Sequence, residues 1–176
     1  VQNQQEINRL KNLVQDLLDE SKKQGATAVE AGLSVDNGLS VTARLGEVET
    51  IEHHCDQSLG VTVYMGQKKG SASTNDFSND SIKETVKAAC SIAGFSNTDE
   101  YAGLPDKDSL ATEFPELDRN HDWDIDAEAA IKIAVECEDA ARSYHQEINN
   151  SEGASVDSHQ GISVLGNSLG FLQGYQ

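Results

Sequence analysis

The chain is short of cysteine, positive charge and long apolar runs, and each of these shortages closes off a class of function. Cys55, Cys90 and Cys137 are odd in number and far apart, which suits neither a secreted disulfide framework nor a CxxC metal or redox site. They read as reduced thiols. Thirteen Lys and Arg stand against thirty Asp and Glu, a net charge of -17, so the chain would repel a phosphate backbone rather than release counterions from it. Nucleic acid and anionic membranes are therefore not expected as partners. No apolar run approaches the ~18 residues of a membrane span, and the opening residues VQNQQEINRL carry no basic-then-apolar leader pattern. A cytoplasmic protein is expected. Aromatics are 5% of the chain and there are only two prolines. What remains is ordinary: 176 residues, 37% of them hydrophobic, with 14 glycines, enough for a continuous core in one domain or two small lobes.

Ile7, Leu10, Leu13, Val14, Leu17 and Leu18 recur at three- and four-residue steps, so the spacing predicts a first helix, ended by Lys22, Lys23 and Gly25. Two runs of strict alternation follow. Val29, Ala31, Leu33 and Val35 form the first, and Leu39, Val41, Ala43 and Leu45 the second, each a strand with one wet face. Asn37-Gly38 lies between them and predicts a tight primed turn. A less regular third strand is expected at Val48 to His54 and a fourth over Leu59, Val61, Val63 and Met65, with Gly66 to Gly70 turning into a short fifth. The fold class is thus α+β: an antiparallel sheet built from a β-meander and packed against three main helices. Ser81 and Glu84 match a capping box for a second helix, striped by Ile82, Val86, Ala89 and Ala93 and closed by Gly94.

Residues 96–140 hold fourteen acids and three bases, a solvated or partner-facing surface. Pro105 and Pro115 mark its first half as an irregular loop. Asp126 is the expected N-cap of a third helix with Ala130, Ala134, Cys137, Ala141 and Tyr144 on one face. In the tail, Gly161-Ile-Ser-Val164 with Gly166 and Gly170 echoes Gly60-Val-Thr-Val63 with Gly66 and Gly70. The echo predicts a strand, a glycine turn and a returning strand in both places, and an internal helix-plus-hairpin duplication. Residues 170–176 read as a strand in progress, so the chain is expected to be a piece of something longer.

Candidate chemistry is thin. His53-His54-Cys55-Asp56 is the densest group of metal-ligand types, but neighbours on a strand point to opposite faces, so at most two could meet one ion. The group reads as a polar strand end. His121, His145 and His159 are isolated and form no His-Glu-x-x-His pattern. Residues 118–126 alternate oxygen donors as a calcium loop does, but Trp123 stands where the sharp turn needs glycine and Ala129 where a bidentate Glu is needed. An acidic helix entrance explains them without an ion. Gly66-Gln-Lys-Lys-Gly70-Ser71 lacks Walker spacing and reads as a hairpin turn. The residues themselves assign no catalytic, cofactor-binding or metal-binding position.

Five stretches, in order and with their spacing, add a resemblance: Gly38-Leu-Ser-Val-Thr-Ala-Arg44, Gly46-Glu-Val-Glu49, Leu59-Gly-Val-Thr-Val-Tyr64, Lys69-Gly-Ser-Ala-Ser73 and Gly166-Asn-Ser-Leu-Gly-Phe-Leu-Gln-Gly-Tyr175. Together they resemble the N-terminal region of the PmbA (TldE) branch of the TldD/PmbA peptidase family. The resemblance runs from the first helix to Gln176. It implies a two-subunit bacterial peptidase for peptide maturation and proteolysis, acting on peptides or unfolded polypeptides. In that pair a TldD-like subunit carries zinc in a His-Glu-x-x-x-His site, and the PmbA-like subunit lacks it. The family's metal motif lies beyond the region equivalent to this chain, so no catalytic residue transfers. The expectation is that residues 1–176 are an N-terminal assembly and substrate-chamber domain, partnered with a TldD-like subunit or paired as a homodimer, with a C-terminal domain outside this chain. One alternative makes the PmbA-like chain itself the metallopeptidase, with ligands in that C-terminal region. Another is an acidic, calcium-dependent interaction module resting on residues 118–126. The family has also been labelled a modulator of DNA gyrase; at a charge of -17 such an effect would be indirect.

Overall fold

The alternating runs form fewer and longer strands than their punctuation suggests. The computed structural model describes residues 2–176. They form α1 (Gln2–Lys23), β1 (Ala28–Arg44), β2 (Glu47–Met65), β3 (Lys68–Thr74), α2 (Asn79–Phe95), α3 (Ala127–Arg142), β4 (Ala154–Asn167) and β5 (Leu172–Tyr175), with a short 3₁₀ turn at Lys107–Ser109. The strands make one antiparallel sheet in the order β3-β2-β1-β4-β5. The fold is α+β, as the meander and helix stripes predict.

The turn expected at Asn37-Gly38 does not exist, because β1 runs unbroken through both residues and Gly38 has no positive φ. The chain reverses instead at Leu45-Gly46, whose φ values of 54° and 80° are the two positive torsions that a two-residue primed turn needs. The expected third and fourth strands are likewise one strand, β2. Its polar middle is a stretch exposed on most positions, not a turn. The Gly66 segment does turn the chain, and β3 pairs back onto β2 from Met65↔Lys68 to Leu59↔Thr74. The tail also forms its hairpin, with Ser163↔Tyr175 and Gly166↔Leu172 as the outer and inner pairs. The echoed glycines are not equivalent, however: Gly66 is in a turn with φ 60°, whereas Gly166 sits inside β4 and the turn's positive φ belongs to Gly170.

Helix ends show the same mixture. α1 buries Leu10, Val14, Leu17 and Leu18, as its stripe predicts. The N-cap of α2 is Ser78, whose hydroxyl accepts from the Ser81 amide at 3.3 Å; Ser81 is already in the first turn, and Ser96 forms the C-cap one residue beyond Phe95. α3 begins at the expected cap, with Asp126 accepting from the Ala129 amide at 2.8 Å. Its buried face is Ala130, Ala134 and Glu138, while Cys137 and Tyr144 are exposed. Residues 137 and 141 share a stripe rotated one position away from the one that packs, and Tyr144 lies beyond the end of the helix.

The chain divides into two compact units. The first comprises the chain through Val35, Asp56–Leu117 and Gly161–Gln176. Its core joins the α1 stripe to Ile82, Val86, Ala89 and Ala93 of α2 and to the inward residues of the strands, Val29, Ala31, Leu33, Leu59, Val61, Val63 and Val164. The second comprises Asp36–Cys55 and Asp118–Gln160. Its smaller core is Leu39, Val41 and Ala130, flanked by Ile125, Ala127, Ile131 and Val156.

Candidate functional site

The second unit collects most of the charge and the chemistry-bearing side chains. It carries fifteen acidic and four basic residues. Alanines on α3 let the helix lie close over Leu39 and Val41 of β1, and that proximity brings Glu138 to the β1–β2 turn. The buried Glu138 carboxylate accepts from the Leu45 amide at 2.7 Å and the Gly46 amide at 2.9 Å. Those amides hold the Glu138 carboxyl below the ordinary glutamate range, opposed by burial and helped by a hydrogen bond with Ser151 and the charge of Arg142. Two turn donors that would otherwise need water are thereby satisfied. Nothing in the sequence singles Glu138 out from the other acids of residues 96–140.

The His53-His54-Cys55-Asp56 group separates, as strand geometry requires. His53 lines a hollow, Cys55 is exposed, and His54 stacks on His159 with ring centroids 6.0 Å apart. The His54 ring occupies the space where a Cβ on Gly38 would stand. His159 Nε2 lies 3.4 Å from Asp36 Oδ1. On the same face Ser40 donates to Asp157 at 2.6 Å, and the Thr42 and Ser155 hydroxyls share a hydrogen bond of 2.9 Å. His121 Nε2 meets its neighbour's carbonyl, Asp118 O, at 2.9 Å, and His145 Nδ1 accepts from the Glu147 amide at 3.3 Å. Among the described residues no three His, Cys, Asp or Glu side chains are grouped to hold a metal, and His54 and His159 are turned onto each other. Cys90 is buried, which pushes its thiol up. No helix of the described residues is long and apolar enough to cross a membrane.

Two further features of this unit bear on binding. A hollow of about 490 Å³ is walled by Leu39, His53, Gln160 and the Asp122-Trp123-Asp124 segment. Trp123, half exposed, is a residue the calcium-loop comparison treats only as a misfit. The other feature is an edge. β3 stops at Leu59↔Thr74, so among the described residues no strand lies beside residues 47–55 of β2 on that side of the sheet order. Val48 and Ile51 on this stretch are exposed.

Comparison with known proteins matches this architecture. Residues 29–93 match the model for PmbA/TldA metallopeptidase domain 1, and residues 120–176 match the PmbA/TldA metallopeptidase central domain. The chain is 45% identical over 166 residues to the metalloprotease PmbA homolog of Haemophilus influenzae, covering 94% of this chain and 37% of that protein. It is 44% identical over 158 residues to metalloprotease PmbA of Escherichia coli O157:H7, covering 90% and 34%. The chain thus spans about a third of the length of these relatives. Among solved structures, a putative modulator of DNA gyrase from Bacteroides thetaiotaomicron superposes with a TM-score of 0.77 at 18% identity, over 94% of this chain and 38% of that one. TldE from Thermococcus kodakarensis gives 0.70 at 15% identity, over 93% and 36%. These likenesses show the same fold. The chain belongs to the PmbA/TldD metallopeptidase family and corresponds to the N-terminal region of its PmbA members.

Proposed function

We propose that this chain is the assembly and substrate-holding region of a PmbA/TldE-type subunit, which works in the cytoplasm with a TldD-like subunit that carries the zinc, in peptide maturation and proteolysis. The observation that carries the reading is the free edge of β2. Its unpaired amides and carbonyls over residues 47–55 can accept an extended polypeptide as an added strand. Such edges are ordinarily guarded by charged side chains, Pro or a covering segment; this one has no Lys or Pro and exposes Val48 and Ile51, and its charges are three glutamates. Two copies paired through it would bring together two sets of glutamates, Glu47, Glu49 and Glu52 of each, and like charges brought together across strands are destabilising. A different, less acidic chain fits the edge better than a second copy.

A second reading, that the PmbA-type chain is itself the peptidase with ligands outside residues 1–176, is favoured by the names of the relatives, which call PmbA a metalloprotease. One assay separates the two. An unfolded peptide is incubated with the full-length protein, with the TldD-like subunit, with both, and with both after the partner's motif Glu is replaced. Cleavage is expected only with both intact subunits, because metal-bound water needs that general base. Cleavage by the full-length protein alone overturns the first reading in favour of the second.

A further inference from the structure

We propose that the hollow in the second unit binds the guanidinium of an arginine in an extended peptide. The binding is a property of this chain alone; that the peptide is a substrate rests on the function proposed above.

Three features select this ligand. The hollow, about 490 Å³, has the size of a small-molecule site, ample for an arginine side chain. Trp123 is among the residues that line it and is half exposed. An aromatic face left open beside polar groups is the surface on which a cation stacks. Asp122 and Asp124 flank it in the same wall, and among the described residues neither has a hydrogen-bond or ion-pair partner. The surrounding unit, with fifteen acids and four bases, excludes an anion and raises the local concentration of a cation. Arginine suits the wall better than lysine. Its planar guanidinium can lie on the indole while its N–H groups point outward to carboxylates, whereas an ammonium is a compact, strongly hydrated charge. Gln160 and Asn37 supply amide groups at the rim. His53 links the hollow to the free strand, since it lies on β2 within residues 47–55 and also lines the hollow. A peptide added along that edge would pass the mouth, with a side chain free to enter.

Trp123 is the only tryptophan in the chain, so its fluorescence reports on this hollow and on nothing else. The 176-residue chain is titrated with acetyl-Gly-Arg-Gly-amide and with the same peptide carrying citrulline, which keeps the shape and removes the charge. A saturable change with the arginine peptide is expected, weaker by on the order of tenfold with citrulline, the loss of a charge-assisted contact. Asp122→Asn combined with Asp124→Asn should weaken arginine binding by a similar factor. Asp99→Asn combined with Glu100→Gln, the same change of charge in the first unit, should leave it within about twofold, because neither residue lines the hollow and exposed charges act weakly through salt. Calorimetry on Trp123→Phe and Trp123→Ala provides a second arm that does not depend on the aspartates: Phe should retain binding and Ala lose it. Equal response to citrulline, equal weakening by the first-unit control, or no saturation below about 10 mM overturns the proposal. The titration contains no TldD-like subunit, so its failure leaves the cleavage assay untouched.

Discussion

At Gly38 the decisive feature is a missing side chain. Its place is taken by the His54 ring, and a Cβ there would also stand 2.8 Å from the Ser158 carbonyl oxygen. Glycine is required for space, not for a torsion, since its φ is not positive. Gly38→Val should therefore destabilise the chain by overpacking, by about 1–3 kcal/mol. The cause can be read from the double variant Gly38→Val with His54→Ala: removing the ring should restore part of the loss, and the Ser158 carbonyl should keep it from being complete. Urea denaturation midpoints decide the matter. A Gly38→Val midpoint equal to the parent would mean that the ring swings aside at no cost, and a double variant no better than the single would deny the contact.

At the scale of elements, β3 and α2 touch through a second glycine of this kind. Gly70 pairs with Val63, and a Cβ on it would run into the Ala89 carbonyl oxygen and the Ala93 amide nitrogen of α2. A helix backbone cannot rotate aside as a histidine ring can. Gly70→Ala should cost on the order of 1–3 kcal/mol. Gly94→Ala, on the same helix with open space around it, should be neutral or gain up to roughly 1 kcal/mol from helix propensity. Thermal melts in which the two variants shift alike would contradict the close packing of β3 on α2. The sequence makes these elements legible where burial is one-sided: the stripes of α1 and α2, the cap of α3 and the hairpin at Gly66 all stand where the pattern puts them. The expected turn at Asn37-Gly38 fails by a rule the same residues contain. A two-residue hairpin places facing partners on one side of the sheet, so it would set Ser40, Thr42 and Arg44 opposite the apolar set. Val29, Ala31, Leu33, Val35, Leu39, Val41 and Ala43 instead keep one parity straight through, which a single strand explains. Local turn propensity at Asn-Gly was outweighed by side-chain alternation over fifteen residues. The site was less legible, because its parts meet only in space: Glu138 is 93 residues from Leu45, and the walls of the hollow come from three strands and a loop.

For the whole molecule, the net charge of -17 sets two effects of acidity against each other. Protonating exposed carboxylates relieves self-repulsion and favours the compact state. Protonating Glu138 does the opposite, because it withdraws the charge that receives the Leu45 and Gly46 amides. The sign follows from the depressed carboxyl: a group whose folded value lies below its unfolded one contributes stability that is fully present above the unfolded value, near pH 4.3 for a glutamate, and is lost as pH falls through the folded value. The two effects can be separated by changing one carboxylate of the thirty. Glu138→Gln alters overall repulsion little and keeps the shape, but a neutral amide accepts the two hydrogen bonds less strongly and turns an N–H group toward donors. Melting temperatures of parent and variant should therefore differ most near neutral pH, with the parent higher, and should converge only once acidification has passed below the ordinary glutamate range. Salt supplies the complementary measurement at neutral pH. It screens the exposed charges with a Debye length of about 8 Å at 0.15 M while leaving Glu138 ionised, so both proteins should become more stable and the gap between them should persist. A gap that stays constant into strong acid would mean that Glu138 contributes through packing alone, and one that closes with salt at pH 7 would mean that its bonds to the turn are open to solvent.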